Sequence, residues 1–479
     1  MKKFALTTLF ILLASPAWAT TFFLAPASSG GSDSNSGTSA SSPWLSPNHP
    51  VNCGDVIIAA ASTAYSASDF GYGKWGTVNC PAGNNVAWLK CAIFDACKIA
   101  APTSDAMHID ASYWGVQGWE VTNGGGSNAC FAATPNSSTS IHHVIFANDI
   151  ASNCGSGFTA HYNGGGSASV DYIVYVGNIA YNASTDSGVC ASGLSIWEPQ
   201  NHDTAAGTHI YVAGNFSYKN FDPSPCAGGT PSDGEGIIID TPDGSQSGLP
   251  QYTQQIVVHN NMVIGNGGRG IQASNNTAGS AHAPIFIEYN TSYGNNADNT
   301  NQNTGGSCGD IRLLNTLNTQ ALHNLSQTAA ATGCGGYGLY AYYLATGGNS
   351  DVIDFDWGAS ASGLTCGIQS PANGFACGIH NTFGTSAGFA STAIPGAPSC
   401  GSATSVPNCM AAMITNFTPT TAAARAYGYQ IPTTSPNSDP LFPQWLCNVN
   451  LPPGLVTTAC GAASSSLPAP PTNIGVSIQ

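Results

Sequence analysis

The chain has 479 residues, 42% of them hydrophobic and only 7% charged, with a formal net charge of −15. That apolar content is ample for a large core and excludes a disordered chain. Nine basic residues against 24 acidic ones exclude nucleic acid and an anionic membrane surface as partners, because both demand a basic face.

The first residues, Met1-Lys2-Lys3, an apolar run from Phe4 to Ala14 and then Ala17-Trp18-Ala19, predict a secretory leader removed after Ala19. Its loss takes Lys2 and Lys3 with it and moves the net charge to about −17. No later segment offers the ~18 consecutive apolar residues that a membrane-spanning helix needs. An exported, soluble, monomeric protein, extracellular or periplasmic, is therefore expected. Sixteen cysteines fit an oxidising compartment. Nearest-neighbour pairing would join Cys53/Cys80, Cys91/Cys97, Cys130/Cys154, Cys190/Cys226, Cys308/Cys334, Cys366/Cys377, Cys400/Cys409 and Cys447/Cys460, although spacing alone does not fix connectivity. A zinc site is disfavoured: no CxxC pair occurs and no histidine is interleaved at ligand spacing.

Residues 20–110 read as N-terminal capping coils: a strand at Thr21, a Gly/Ser/Asp loop ending in Gly37-Thr38, Pro43-Trp44, and a second strand in Gly54-Asp55-Val56. Residues 111–462 form the main repeat region with its closing coils, including Ser438-Asp439-Pro440-Leu441-Phe442, and residues 463–479 a loose tail. Short β-branched and aromatic runs separated by turn residues fill the repeat region, and helical periodicity is missing. One alternating motif returns six times, at 156–161, 192–197, 235–240, 269–274, 309–314 and 337–342. An asparagine precedes each copy (Asn148, Asn178, Asn215, Asn261, Asn290, Asn324), with a second asparagine five residues on at Asn153, Asn220, Asn266 and Asn295. A repeat of 29 to 46 residues built only of short strands and turns predicts an all-β solenoid. Asparagines stacked at equivalent turns would hydrogen-bond along it.

A solenoid turns sequence into columns. Phe158, Leu194, Ile237, Ile271, Ile311 and Leu339 should stack in the core. The outward columns are then Thr159, Ser195, Ile238, Gln272, Arg312, Tyr340, and His161, Trp197, Asp240, Ser274, Leu314, Tyr342. Scarce charge gathers on this face. Asp233, Glu235, Asp240 and Asp243 fall within one coil, Lys219 lies on the turn before it, and Arg269 stacks beside Glu235. That coil is also the longest, which suggests loops that wall a groove.

The N-terminal elements resemble the opening of secreted right-handed parallel β-helix proteins. Asp233-Gly-Glu-Gly-Ile with Asp240, followed by Gly267-Gly-Arg-Gly-Ile271, resembles a pattern of the pectate-lyase-like superfamily. The resemblance implies a right-handed parallel β-helix, stapled by disulfides, acting on a polysaccharide. In a calcium-dependent pectate lyase family of this fold, an acidic motif holds calcium and a nearby basic residue takes the proton. Carried over by position, Asp233, Glu235 and Asp240 would hold calcium, with Arg269 or Lys219 in the basic role. This chain has Asp233-Gly-Glu235 where that family has adjacent aspartates. The expected catalytic set is Lys219, Glu235, Asp240 and Arg269, with Trp197, Gln272, Arg312 and Tyr340 contacting substrate. A hydrolase using two carboxylates from Asp233, Glu235, Asp240 and Glu198 stays open, as does a β-helix that only binds glycans or builds a surface.

Overall fold

The computed structural model describes residues 19–81, 83, 85–100, 104–122, 129–135, 139–162, 168–185, 190–222, 233–278, 280–298, 308–329, 339–345, 351–360, 365–368, 377–384, 386–430, 441–449 and 451. The expected leader and the 463–479 tail lie outside them, apart from Ala19. Among the described residues the strands form parallel sheets of 11, 11 and 9 members, plus a small two-stranded one. The first sheet runs from Thr21–Leu24 to Val352–Asp354, the second from Ser62–Tyr65 to Thr382–Gly384, and the third from Met107–Ile109 to Cys366–Ile368. From Ala87–Cys91 to Cys366–Ile368, each coil gives one strand to each sheet in turn. One coil supplies Val170–Val176, Ile179–Tyr181 and Leu194–Trp197; the next supplies Thr208–Ala213, Phe216–Tyr218 and Ile237–Asp240. Parallel neighbours cannot be joined by a hairpin. Here the connection is the rest of the coil. The expected all-β parallel β-helix is the observed fold.

Alternation within the strands places the core. Phe158, Leu194, Ile237, Ile271 and Ile311 are in register and buried in one cluster, and Phe131 stacks on Phe158 with ring centroids 4.6 Å apart. The sixth copy departs from the expected column. Ile311 pairs with Tyr342, and Leu339 pairs with Cys308. Tyr342 therefore faces inward rather than outward. Its ring fills the core and its hydroxyl donates to the carbonyls of Asn324 and Trp357 at 3.0 and 2.9 Å. A residue that large with two buried acceptors in reach outweighs the small Gly-Leu match that set the expected register.

The asparagine ladder is present. The amides of Asn215, Asn261 and Asn290 each donate to the side-chain oxygen of the next member, at 2.9, 2.9 and 3.0 Å, and Asn178 does the same to Asn215. Asn148 is not a rung. Ile150 pairs with Ile179, so Asp149 occupies the rung, while Asn148 takes the adjoining left-handed turn position at φ 55°. At the other end Asp356 accepts from Asn324. A second ladder joins Asn220, Asn266 and Asn295 and closes on Asp310. Asn153 stands beside it, accepting from Asn182 at 2.8 Å.

The C-terminal region wraps the barrel. A short helix over Ala411–Phe417 presents Met413, Ile414 and Phe417 to Ile179, Phe216, Met262 and Ile264 on the outer side of the second sheet. Leu441 and Phe442, expected in a closing coil, instead pack with Leu446 on Val174, Tyr211 and Val257 outside the first sheet. The polar outward columns of the third sheet belong to neither cluster. Disulfides join Cys53–Cys80, Cys91–Cys97, Cys130–Cys154, Cys366–Cys377 and Cys400–Cys409, all as nearest neighbours. Cys190, Cys308 and Cys447 are also disulfide-bonded; their expected partners Cys226, Cys334 and Cys460 lie outside the described residues. No helix among the described residues is long and apolar enough to cross a membrane.

Candidate active site

The outward face of the third sheet is built by register. Trp197, Asp240, Ser274 and Leu314 are successive partners in one column, and Ser195, Ile238, Gln272 and Arg312 in the next. Arg312 is followed by Tyr343, because the last copy is shifted; Tyr340 pairs with Gly309 instead. Tyr340 still lies on this side, its ring 5.3 Å from that of Tyr343 and over Gly367, where a Cβ would meet it at 2.6 Å.

One step before the strands, Glu235 accepts from Arg269 Nη1 at 2.9 Å and from the Ser192 hydroxyl at 3.0 Å. Glu235 is 0% exposed and Arg269 2%. This pair is a locked structural element in the floor of the site, since parting a buried, hydrogen-bonded ion pair strands both charges. Gly236 and Gly270 follow these residues because the backbone there presses on the second ladder. A Cβ on Gly270 would lie 2.2 Å from Ser292 Oγ and 2.6 Å from Asn295 Nδ2.

Asp240 is different. Ser274 and Thr241 hydroxyls donate to its Oδ1, both at 2.9 Å, yet burial, assisted by Glu235 and Glu198, pushes its carboxyl up to about 6. It is thus poised to exchange a proton near neutral pH. Arg312 is drawn down to about 9, first by burial and then by the Arg269 guanidinium, with Glu235 acting in the opposite direction. It remains a cation at neutral pH. Its Nε has no hydrogen-bond partner and no carboxylate pairs with it among the described residues. Two guanidiniums thus share the field of one buried carboxylate. Gln272, 6% exposed between Asp240 and Arg312, also has an unpartnered Oε1.

Trp197 is held by the loop after Asp240: its Nε1 donates to Gln246 Oε1 at 3.2 Å, and Ser247 N donates to Glu198 Oε1 at 2.8 Å. Gln246 was not legible as a site residue, because an exposed glutamine in a Gly/Ser loop carries no signal of its own. Glu198 has a trace, as the acid following Trp197. It is 1% exposed, and its Oε2 has no partner among the described residues. His161 lies beside Trp197 with ring centroids 5.8 Å apart, and burial lowers it to about 4, so it is neutral.

One expected participant, Lys219, stands apart. Lys219 occupies the left-handed turn position (φ 55°) after Phe216–Tyr218 of the second sheet, and its amide donates to Ile264 O. Its neighbours in that column are Asn182 and Gly265, and a Cβ on Gly265 would press on Ile394 of the C-terminal wrapping. Asp233 sits half-buried ahead of Gly234, where the backbone takes φ 85°. The calcium site implied by Asp233, Glu235 and Asp240 does not fit. Glu235 is consumed by Arg269 and Ser192, and no group of three or more His, Cys, Asp or Glu residues is arranged to hold a metal among the described residues. Hard cations need several convergent oxygens.

No protein-family model matches the chain, and no curated protein matches it. Among solved structures, one similar to it is the pectate lyase Pel9A, at 14% identity and a TM-score of 0.36, covering 78% of this chain and 83% of that one. Another is a rhamnogalacturonan lyase, at 12% identity and a TM-score of 0.28, covering 77% and 87%. The fold is a parallel β-helix. At these similarities the chemistry must be argued from this chain's own residues.

Proposed function

We propose that this protein is a secreted, carbohydrate-active β-helix that cleaves a uronate-containing polysaccharide by β-elimination on the outward face of its third sheet. The observation that carries this reading is Arg312, a desolvated guanidinium with no carboxylate partner among the described residues. In a chain of net charge −15, an unneutralised cation beside a second one calls for an anionic ligand. A uronate carboxylate satisfies it.

Elimination needs the carboxylate neutralised, the C5 proton removed and the departing oxygen protonated. Arg312, with the Arg269–Glu235 pair behind it, takes the carboxylate and stabilises charge developing on it. Asp240 takes the proton from C5. The C5–H and C4–O4 bonds break, the C4–C5 double bond forms, and the electron pair leaves with O4, which takes up a proton. A carboxyl near 6 can both accept the first proton and return it. Trp197 and Tyr340 offer sugar-facing rings, and Gln272 an acceptor for a hydroxyl. Hydrolysis would instead need two carboxylates flanking one bond; with Glu235 committed to Arg269, Asp240 with Glu198 is the pair it would use.

The test incubates the mature protein with acidic and neutral polysaccharides, following unsaturated-end absorbance and reducing ends together. Both should rise on a uronate polymer, and should persist with a chelator. Reducing ends without absorbance would replace elimination by hydrolysis, and silence on every uronate polymer would end the enzymatic reading.

A further inference from the structure

Four of the chain's 11 histidines gather at the corner where the third sheet hands over to the first. His142 and His143 open the strand Ile141–Ala147, His209 opens Thr208–Ala213, and His202 is exposed on the loop that leads into the latter. The Nδ1 atoms of His142 and His143 are 2.9 Å apart, one donating to the other. His202 lies on His142 with ring centroids 3.6 Å apart, and the Tyr172 ring is stacked between His143 and His209, at 4.1 and 3.8 Å. Tyr113 stacks on His143 as well, at 4.9 Å. The C-terminal segment that covers the first sheet meets this stack. Trp445 sets its ring edge-on to His143, with centroids 4.7 Å apart, and its Nε1 has no hydrogen-bond partner among the described residues. The indole is therefore seated by ring contact.

Such a stack needs neutral imidazoles. A bond between two Nδ1 atoms requires one of them to accept, so it tolerates one added proton but not two. Two imidazoliums face to face repel. The carboxylates at the corner are engaged with other donors: Asp171 with the His209 ring, the Tyr252 hydroxyl and the amides of Tyr172 and His202, and Asp203 with the Tyr172 hydroxyl and the Ala205 amide. Burial, then the neighbouring histidines, lowers the His142 ring to about 4 and the His143 ring to about 2, with the carboxylates opposing only in part. The phenols of Tyr113 and Tyr172 are pushed up by burial and stay neutral throughout. Residues 441–449 bring no titratable side chain, because Cys447 is disulfide-bonded.

We propose that this histidine corner is an acid-operated latch: neutral, it seats Trp445 and holds residues 441–449 on the first sheet, and protonated, it releases the Trp445 end. The device is independent of the chemistry on the third sheet. Both rings lie below their ordinary value of 6.5, so the latched state binds fewer protons than the released one. The latch is therefore closed above about pH 7 and weakens as pH falls through about 6.5. At pH 4.5 each ring that becomes hydrated on release favours the open state by up to about 10²-fold relative to pH 7.5.

Hydrogen exchange of the whole mature protein at pH 7.5 and 4.5, with labelling times corrected for the intrinsic pH dependence, tests this. Protection of residues 441–449 should fall at least about 30-fold at pH 4.5, while the third-sheet strand Ile237–Asp240 stays protected. His143→Phe keeps a ring in the stack that cannot take a proton, and should hold the segment closed at pH 4.5. His202→Ala, at an exposed position that does not threaten folding, removes one repelling ring and should move the opening to lower pH. Unchanged protection of the segment at pH 4.5, equal opening in the wild type and both variants, or loss of protection in all sheets at once would overturn the proposal.

Discussion

Truncation of Glu235 gives the sharpest test of the site's framework. The carboxylate is fully buried and accepts from Arg269 Nη1 at 2.9 Å and from Ser192 Oγ at 3.0 Å. Glu235→Ala leaves a guanidinium that is 2% exposed without this counter-charge, and removes the acceptor of a buried hydroxyl. Breaking one side of a buried pair costs about 3–5 kcal/mol, and the stranded hydroxyl adds about 1 kcal/mol. Glu235→Leu combined with Arg269→Met removes both charges and keeps the volume, so its cost should fall to within about 1 kcal/mol of wild type. Urea unfolding of Glu235→Leu, Arg269→Met and the double variant, analysed as a cycle with Glu235→Ala measured alongside, reads this directly. A cost below about 1 kcal/mol for Glu235→Ala, or a double variant worse than either single one, would refute the argument.

Three further outcomes are expected. Asn261→Ala removes the acceptor for Asn215 N and the donor to Val212 O, and should cost about 2–4 kcal/mol in urea unfolding as two or more buried polar groups lose partners. Asp310, fully buried at the end of the second ladder, is pushed up to about 7 by burial. Its folded value lies above the unfolded one, so its favourable contribution is full below about pH 4 and is lost as pH rises through about 7. Asp310→Asn should remove this dependence and raise the unfolding free energy at pH 8, by up to about 4 kcal/mol for three pH units, as read by urea unfolding at pH 4 and pH 8. In the elimination assay, activity should rise with pH through about 6 as Asp240 ionises. Asp240→Asn should lower kcat by about 10²–10⁴ without unfolding the protein, as checked by circular dichroism and product absorbance.

How much was legible follows from what each feature depends on. The solenoid, its inward columns from Phe158 to Ile311 and the asparagine ladder were legible, because each is a local rule repeated at every coil. Five nearest-neighbour disulfides were legible for the same reason. Asn148 was misplaced because Asp149 performs the rung's task with a different side chain. Tyr340 and Tyr342 were misplaced because the register of the last copy is set by packing of the Tyr342 ring and not by its glycine. The C-terminal wrapping depends on contacts between residues far apart, such as Phe417 with Tyr293 and Thr208 with Leu441, which no local pattern records. In the site, the columns brought Trp197, Asp240, Gln272 and Arg312 to one face as expected. Whether an acid is free or committed depends on its three-dimensional partners. Glu235 and Asp240 look alike in sequence, yet one is locked to Arg269 and the other is poised near neutrality.

The most direct test of the account is the structure of the Asp240→Asn protein with a uronate oligosaccharide bound. The account requires a uronate carboxylate within hydrogen-bond distance of the Arg312 guanidinium, C5 facing residue 240, and a sugar ring on Trp197. An oligosaccharide bound on another face, or one whose carboxylates avoid Arg312, would contradict it.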